Sequence, residues 1–255
     1  MIHINKVFKR VNPEESYILL DYDRTVTTHD STTTWGMLTS TSLVSDEYKI
    51  EHDEVYNKYR KEEIKSNTNP QAKFKLMDEW AKAALDSVYK YHIYEDTINR
   101  IMLENHGMTL RRDSRNFLEN MHLLGIPVII ISAGLGVFIE KYLEQQYCLF
   151  DNITIYSNFF IYENGRIVSV KQPMLHSANK NLIDYSFELG NRPNGILIGD
   201  QIEDIKTRRG RKVQTIGFCD TDTYDLKDYN RNFDITLTGK SDFDNVGKLL
   251  IKGYK

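Results

Sequence analysis

Short apolar runs recur along this chain, and each gives way to polar or small residues. Runs at 17–21, 128–131, 153–156, 196–198, 213–217 and 235–237 are bounded in the manner of short buried strands. Between most of them lie helical patterns. One is capped by Asp113 or Ser114, carries Phe117, Leu118, Met121 and Leu124, and stops at Gly125. Alternating strands and helices predict an α/β fold with a parallel sheet in a three-layer α/β/α core. Asn164-Gly165, set between 159–162 and 166–170, is a hairpin signal.

The strand pattern vanishes between about 27 and 106. Residues 27–45 are rich in Ser and Thr and read as loop. Residues 46–65 are strongly charged and read as helix. Pro70 opens a second helix with Phe74, Met77, Ala81, Leu85 and Val88 near helical spacing, and a third runs over 94–105 to Gly107. The spacing predicts a core of 1–27 and 107–255 with a helical cap, 28–106, inserted after the first strand.

Composition narrows the function classes. With 255 residues the chain is long enough for a sizeable core and an insert. A net charge of −3 gives no general attraction to nucleic acid or membrane, so an anionic ligand must be held by local charge. The run at 206–212 is basic, but it follows a helical turn and reads as a solvated face. Cys148 and Cys219 form no CxxC pair, and His29, His52, His92 and His106 share no metal-ligand spacing, so neither a disulfide framework nor zinc is indicated. Residues 1–16 hold no apolar targeting core, and no run approaches the roughly 18 apolar residues of a membrane span. The expectation is a cytoplasmic protein.

The candidate chemistry sits at the strand ends. Asp21 and Asp23, two apart on extended backbone, point to one side where the first strand becomes loop. Paired carboxylates are costly unless a cation lies between them or one is protonated. The strand at 128–131 ends in Ser132-Ala133-Gly134 before a helix, which offers a hydroxyl and bare N–H groups to an anion. His176-Ser177-Ala178-Asn179-Lys180 supplies a lysine, and Gly199-Asp200 is followed by Asp204 one helical turn later. The order DxDxT, Ser, Lys, GDxxxD describes a site for a phosphate and a hard cation.

That order resembles the haloacid dehalogenase superfamily of phosphohydrolases. A closer resemblance lies in Ile131–Gly136, Tyr156-Ser157-Asn158-Phe159, Asn164-Gly165, His176-x-x-Asn179-Lys180, Leu197-Ile198-Gly199-Asp200 and Met77-Asp78-Glu79-Trp80. These are similar to the cytosolic pyrimidine 5'-nucleotidase family. The resemblance implies a Rossmann-like core and a Mg2+-dependent phosphomonoesterase working through an aspartyl-phosphate. It implies Asp21 as nucleophile, Asp23 as acid and base, and Lys180 as neutraliser of developing charge. Asp21, Asp23 and Asp200 would hold Mg2+, with Asp23 also using its backbone carbonyl. Asp204 and Thr25 would support from behind. Ser132, Ala133, Gly134 and Lys180 would bind phosphoryl oxygens, and Glu63 would read a nucleobase.

Several positions depart from the family: Gln201 stands for serine, Arg208-Arg209 for Ala-Asp, Tyr22 for Phe and Val26 for Leu. None of these removes a catalytic group. The substrate implied is a nucleoside monophosphate. Phosphatase or phosphotransferase action on another small phosphorylated metabolite, and non-catalytic phosphate binding, remain as alternatives. Trp80 and Phe74 lie on an apolar stripe and suit either core packing or a stacked base. The sequence leaves the oligomeric state open.

Overall fold

A computed structural model describes the chain except for residues 66–68, 105–106, 210, 221–224, 240 and 255 and the side chains of 63–65. In chain order the elements are β1 (Ile2–Ile4), β2 (Ser16–Leu20), α1 (Asp46–Lys65), α2 (Pro70–Lys90), α3 (Glu95–Glu104) and α4 (Ser114–Leu123). Next come β3 (Val128–Leu135), α5 (Gly136–Gln145), β4 (Ile153–Asn158), β5 (Phe160–Glu163), β6 (Arg166–Val170) and α6 (Ser186–Leu189). The chain ends with β7 (Asn194–Gly199), β8 (Val213–Cys219), α7 (Leu226–Asn232), β9 (Ile235–Thr238) and α8 (Phe243–Leu250).

Seven strands form one sheet in the order β1-β9-β8-β7-β2-β3-β4. All neighbours pair parallel except β1, which runs antiparallel to β9. The fold is α/β, as the alternation predicts. Strand β1 escapes sequence reading because it is three residues long, and Ile2 and Ile4 are exposed, leaving no buried pattern to detect.

Side-chain alternation along the strands builds the layers. Ile18 and Leu20 of β2 face one apolar cluster with α4, α5 and α8, through Phe117, Phe138 and Phe243. Tyr17 and Leu19 face the other, with Tyr185, Leu189, Tyr229 and Phe233. A period of two on a strand covered on both faces gives this split. Leu20 pairs with Ile130 on one side and with Ile198 on the other. That register brings the polar ends of β2, β3 and β7 together at one edge, where ligands of open α/β sheets bind.

Helices α1 and α2 pack as a pair, with Tyr59 stacked on Trp80 at an interplanar angle of 8°. Asn69 caps α2 by accepting from the N–H groups of Gln71 and Ala72, and Pro70 needs no donor at that place. Asn164 and Gly165 both have positive φ in the turn between β5 and β6, as the hairpin signal predicts.

One local expectation, a side-chain cap on α4 from Asp113 or Ser114, is corrected. Asp113 stands before α4 but makes no side-chain cap; its φ is 68°, and its carboxylate accepts from Tyr254 instead. Ser114 donates to the carbonyls of Val26 and Arg111. The turn after Asp200 is a 3-10 helix, Ile202–Arg208.

Candidate active site

Asp21 follows β2 directly and is 8% exposed. Its Oδ1 accepts from Lys180 Nζ at 2.6 Å, and its Oδ2 from Thr25 Oγ1 at 3.1 Å. Lys180 also donates to Asp204 Oδ1 at 2.9 Å. A turn delivers this lysine: the Asn179 side chain accepts from the His176 N–H and donates to the Met174 carbonyl. Burial alone would lower the Lys180 ammonium, but Asp204 and Asp21 outweigh it, and its pKa is raised.

Asp21, Asp200 and Asp204 form a buried triad whose ligand oxygens lie within 4.8 Å of one another. Asp204 is placed by the Gln201 N–H, which donates to its Oδ2 at 3.1 Å. Among the described residues no donor hydrogen-bonds the Asp200 carboxylate, which is 4% exposed at residue level. Burial, then repulsion from Asp21 and Asp204, pushes its carboxyl well above the usual range. An unpartnered carboxylate beside two others, offering oxygen ligands, fits a hard divalent cation.

Asp23 is oriented differently. Its Oδ1 accepts from the Thr34 N–H at 3.0 Å and its Oδ2 from Thr34 Oγ1 at 2.8 Å. The carboxylate is turned toward Thr34 rather than into the triad. Burial raises its pKa against the lowering effect of those two hydrogen bonds. A carboxyl with a raised pKa suits proton donation.

Ser132, Ala133 and Gly134 lie on the last part of β3. Ser132 Oγ accepts from the Gly134 N–H at 3.0 Å. The Ala133 carbonyl accepts from Trp35 Nε1 at 3.2 Å and Asn158 Nδ2 at 2.9 Å, and the Gly134 carbonyl from Ser157 Oγ at 2.9 Å. A Cβ on Gly134 would lie 2.1 Å from Thr34 Oγ1 and 2.9 Å from Asp23 Oδ2, so only glycine permits that approach.

A cavity of about 650 Å3 opens above these groups. Its lining includes Asp21, Asp23, Ser132, Gly134 and Lys180, together with Tyr56, Met77 and Trp80 from α1 and α2. Lys73 of α2 bridges to Glu203 at 2.7 Å, and the Phe74 ring meets His176 with centroids 5.2 Å apart, so the helices close against the core beside the cavity. Trp80 is therefore both packed and cavity-facing, while Phe74 is 40% exposed and touches the lysine turn. Glu63 lies within α1, but its side chain is outside the described residues.

Thr34, Trp35 and Asn158 were not singled out by sequence reading. Thr34 lies in the Ser/Thr-rich loop after the DxDxT motif, and Asn158 inside the Tyr156–Phe159 motif, so a partial signal existed for each. No described helix is long and apolar enough to cross a membrane.

Known proteins resemble this chain in sequence and in fold. The family model Pyrimidine 5'-nucleotidase (UMPH-1) matches residues 23–252. A 7-methylguanosine phosphate-specific 5'-nucleotidase of Drosophila melanogaster is 29% identical, over 93% of this chain and 80% of its own length. Its counterpart in Homo sapiens is 27% identical, over 85% and 75%. The crystal structure of cytosolic 5'-nucleotidase IIIB bound to cytidine superposes with a TM-score of 0.82 at 27% identity, covering 93% of this chain and 85% of that one. A phosphoserine phosphatase in a phospho-aspartyl intermediate analogue form shares the fold, with a TM-score of 0.59 at 13% identity, over 96% of this chain and all of that one. With a match over nearly the whole chain and a phosphohydrolase-type strand edge beneath it, the chain belongs to the pyrimidine 5'-nucleotidase (UMPH-1) family and is a phosphomonoester hydrolase of the haloacid dehalogenase-like fold.

Proposed function

We propose that this protein is a cytoplasmic, Mg2+-dependent 5'-nucleotidase that hydrolyses nucleoside monophosphates through a phosphorylated Asp21. The observation that carries this reading is the coincidence of two features on one cavity. Asp21, bonded to Lys180, and the aromatic residues Trp80 and Tyr56 line the same space. The named activities of the relatives and the cytidine in the neighbouring structure support a nucleoside as the second half of the ligand. Residues 28–106 act as the cap that supplies these aromatic residues.

Asp21 attacks phosphorus in line with the leaving oxygen, forming the aspartyl-phosphate as the P–O bond to the nucleoside breaks. Asp23 gives its proton to that leaving oxygen. It then takes a proton from water, whose oxygen attacks phosphorus and releases inorganic phosphate with Asp21 restored. Ser132 and the backbone of Ala133 and Gly134 hold phosphoryl oxygens, and Lys180 balances the charge that develops. Thr25 holds one oxygen of Asp21. Asp21, the Asp23 backbone and Asp200 would hold Mg2+, with Asp204 behind them. The ion, when bound, offsets repulsion between the anionic nucleophile and the phosphate. Glu63 is assigned to the base edge.

Phosphate release across a panel tests this reading. The panel holds cytidine, uridine and 7-methylguanosine monophosphates, sugar phosphates and phosphoserine, each with Mg2+ and with EDTA. Preference for a few nucleotides, lost in EDTA, is expected. Broad weak release would discard the nucleoside assignment, and binding without turnover would replace the enzyme by a phosphate-binding protein.

A further inference from the structure

Arg111 is buried outside the cavity, yet its guanidinium converges on the catalytic loop. Its Nε donates to the Thr25 carbonyl at 2.9 Å, and one terminal nitrogen donates to the Arg24 carbonyl. The same nitrogen donates to Asp220 Oδ2 at 2.6 Å, and the other terminal nitrogen donates to Asp220 Oδ1 at 3.3 Å and to the Ser241 carbonyl at 3.2 Å. The plane sits 4.0 Å from the centroid of Phe218. Arg111 thus ties the loop after β2 to the ends of β8 and β9.

The loop it holds is an unusual one. Arg24 has a φ of 66°, a conformation that non-glycine residues seldom adopt and that persists only where the surroundings enforce it. This turn stands between Asp23, whose carboxylate meets Thr34, and Thr25, whose hydroxyl meets Asp21. The two chain segments that lead into and out of residues 28–106 cross at the same place. The Thr28 N–H donates to the Thr109 carbonyl at 2.9 Å, and the Arg111 N–H to the Val26 carbonyl at 2.8 Å.

We propose that Arg111 is a positioning residue for the leaving-group acid: by gripping the Arg24 and Thr25 carbonyls it enforces the left-handed turn that aims Asp23 at the leaving oxygen. This rests on the assignment of Asp23 as acid made above. Arginine suits the task because its planar fork serves three carbonyls and a carboxylate at once, which a lysine ammonium does not.

The test compares two leaving groups. A nucleoside monophosphate releases an alcohol that needs a proton, whereas p-nitrophenyl phosphate releases a stable phenolate that does not. Both esters give the same aspartyl-phosphate, whose hydrolysis also uses Asp23, so the first turnover is followed. Arg111→Lys is expected to slow release of the nucleoside about tenfold or more, with its half-saturating concentration changed less than about twofold, and to slow release of p-nitrophenolate less than about threefold. Asp220→Asn, which loosens the fork without removing it, should give the same split in smaller measure if Arg111→Lys does not fold. Equal losses on both esters, or no loss on either, overturn the proposal.

Asp23→Asn is the control. If it shows the split and the Arg111 variant does not, Arg111 alone is refuted. If Asp23→Asn itself shows no split, the acid assignment falls, and the proposal with it.

Discussion

Asp200→Asn is predicted to stabilise the metal-free protein while removing its response to Mg2+. The carboxylate is buried, has no described hydrogen-bond donor, and shares with Asp21 and Asp204 a space where the ligand oxygens lie within 4.8 Å. At that separation and an effective dielectric of 20, each like-charge pair costs roughly 3.5 kcal/mol, using the 4.8 Å spacing as the distance. Lys180 offsets part of this, and the amide removes the charge at nearly constant shape. A net gain of about 2 kcal/mol in EDTA is expected, or about 4–8 °C in Tm for a chain of this size.

The sign with pH follows from the raised carboxyl of Asp200. Its folded pKa exceeds the unfolded value, so the penalty is absent below the unfolded value and grows as pH rises through the folded one. The gap between variant and wild type should therefore be widest at neutral to alkaline pH and close on acidification. With Mg2+ at about one hundred times its Kd the wild type should gain about 2.7 kcal/mol, and the variant much less. Thermal melting in EDTA and in Mg2+, between pH 5 and 8, measures all of this. A variant less stable than wild type in EDTA, or one with the full Mg2+ shift, refutes the reasoning.

Asp21→Asn should abolish phosphate release while leaving the circular dichroism spectrum unchanged, because Lys180 retains Asp204 at 2.9 Å; wild-type-like turnover would sink the covalent mechanism. Thr34→Val removes one of the two hydrogen bonds that lower the Asp23 pKa, so the limb of the pH–rate profile reporting Asp23 should move to higher pH. The same hydroxyl accepts from the Leu135 N–H, so a stability loss of about 1–3 kcal/mol should accompany the shift, measured by urea unfolding. Trp80→Ala should raise KM for nucleotides about tenfold and leave inhibition by inorganic phosphate unchanged, since base stacking contributes about 1–3 kcal/mol and the phosphate site is separate; parallel changes in both would refute a base-facing role.

Much of this protein was legible in its sequence because the signals are local. Apolar runs of strand length, each ending in Asp21, Ser132 or Asp200, already mark one sheet edge, since a parallel sheet aligns the ends of its strands. Pro70 and Asn164-Gly165 fix their own backbone and announced a helix start and a hairpin. Asp113 misled, because an aspartate before a helix usually caps it, whereas here Tyr254, 141 residues away, takes its carboxylate.

Tertiary structure decided the rest, through contacts between distant residues. The sequence places Asp21, Asp23, Asp200 and Asp204 near one edge, but not which of them share a space. The Thr34 hydroxyl and N–H draw the Asp23 carboxylate aside, while the Gln201 N–H and Lys180, 159 residues from Asp21, gather Asp204 in. Trp80 belongs to an apolar stripe in either reading, and only the packing of α1 on α2 over the sheet edge turns it toward the cavity. Arg111 carries no local signal at all. Its partners lie 86 to 130 residues away, so its place is set by how the sheet closes rather than by any pattern along the chain.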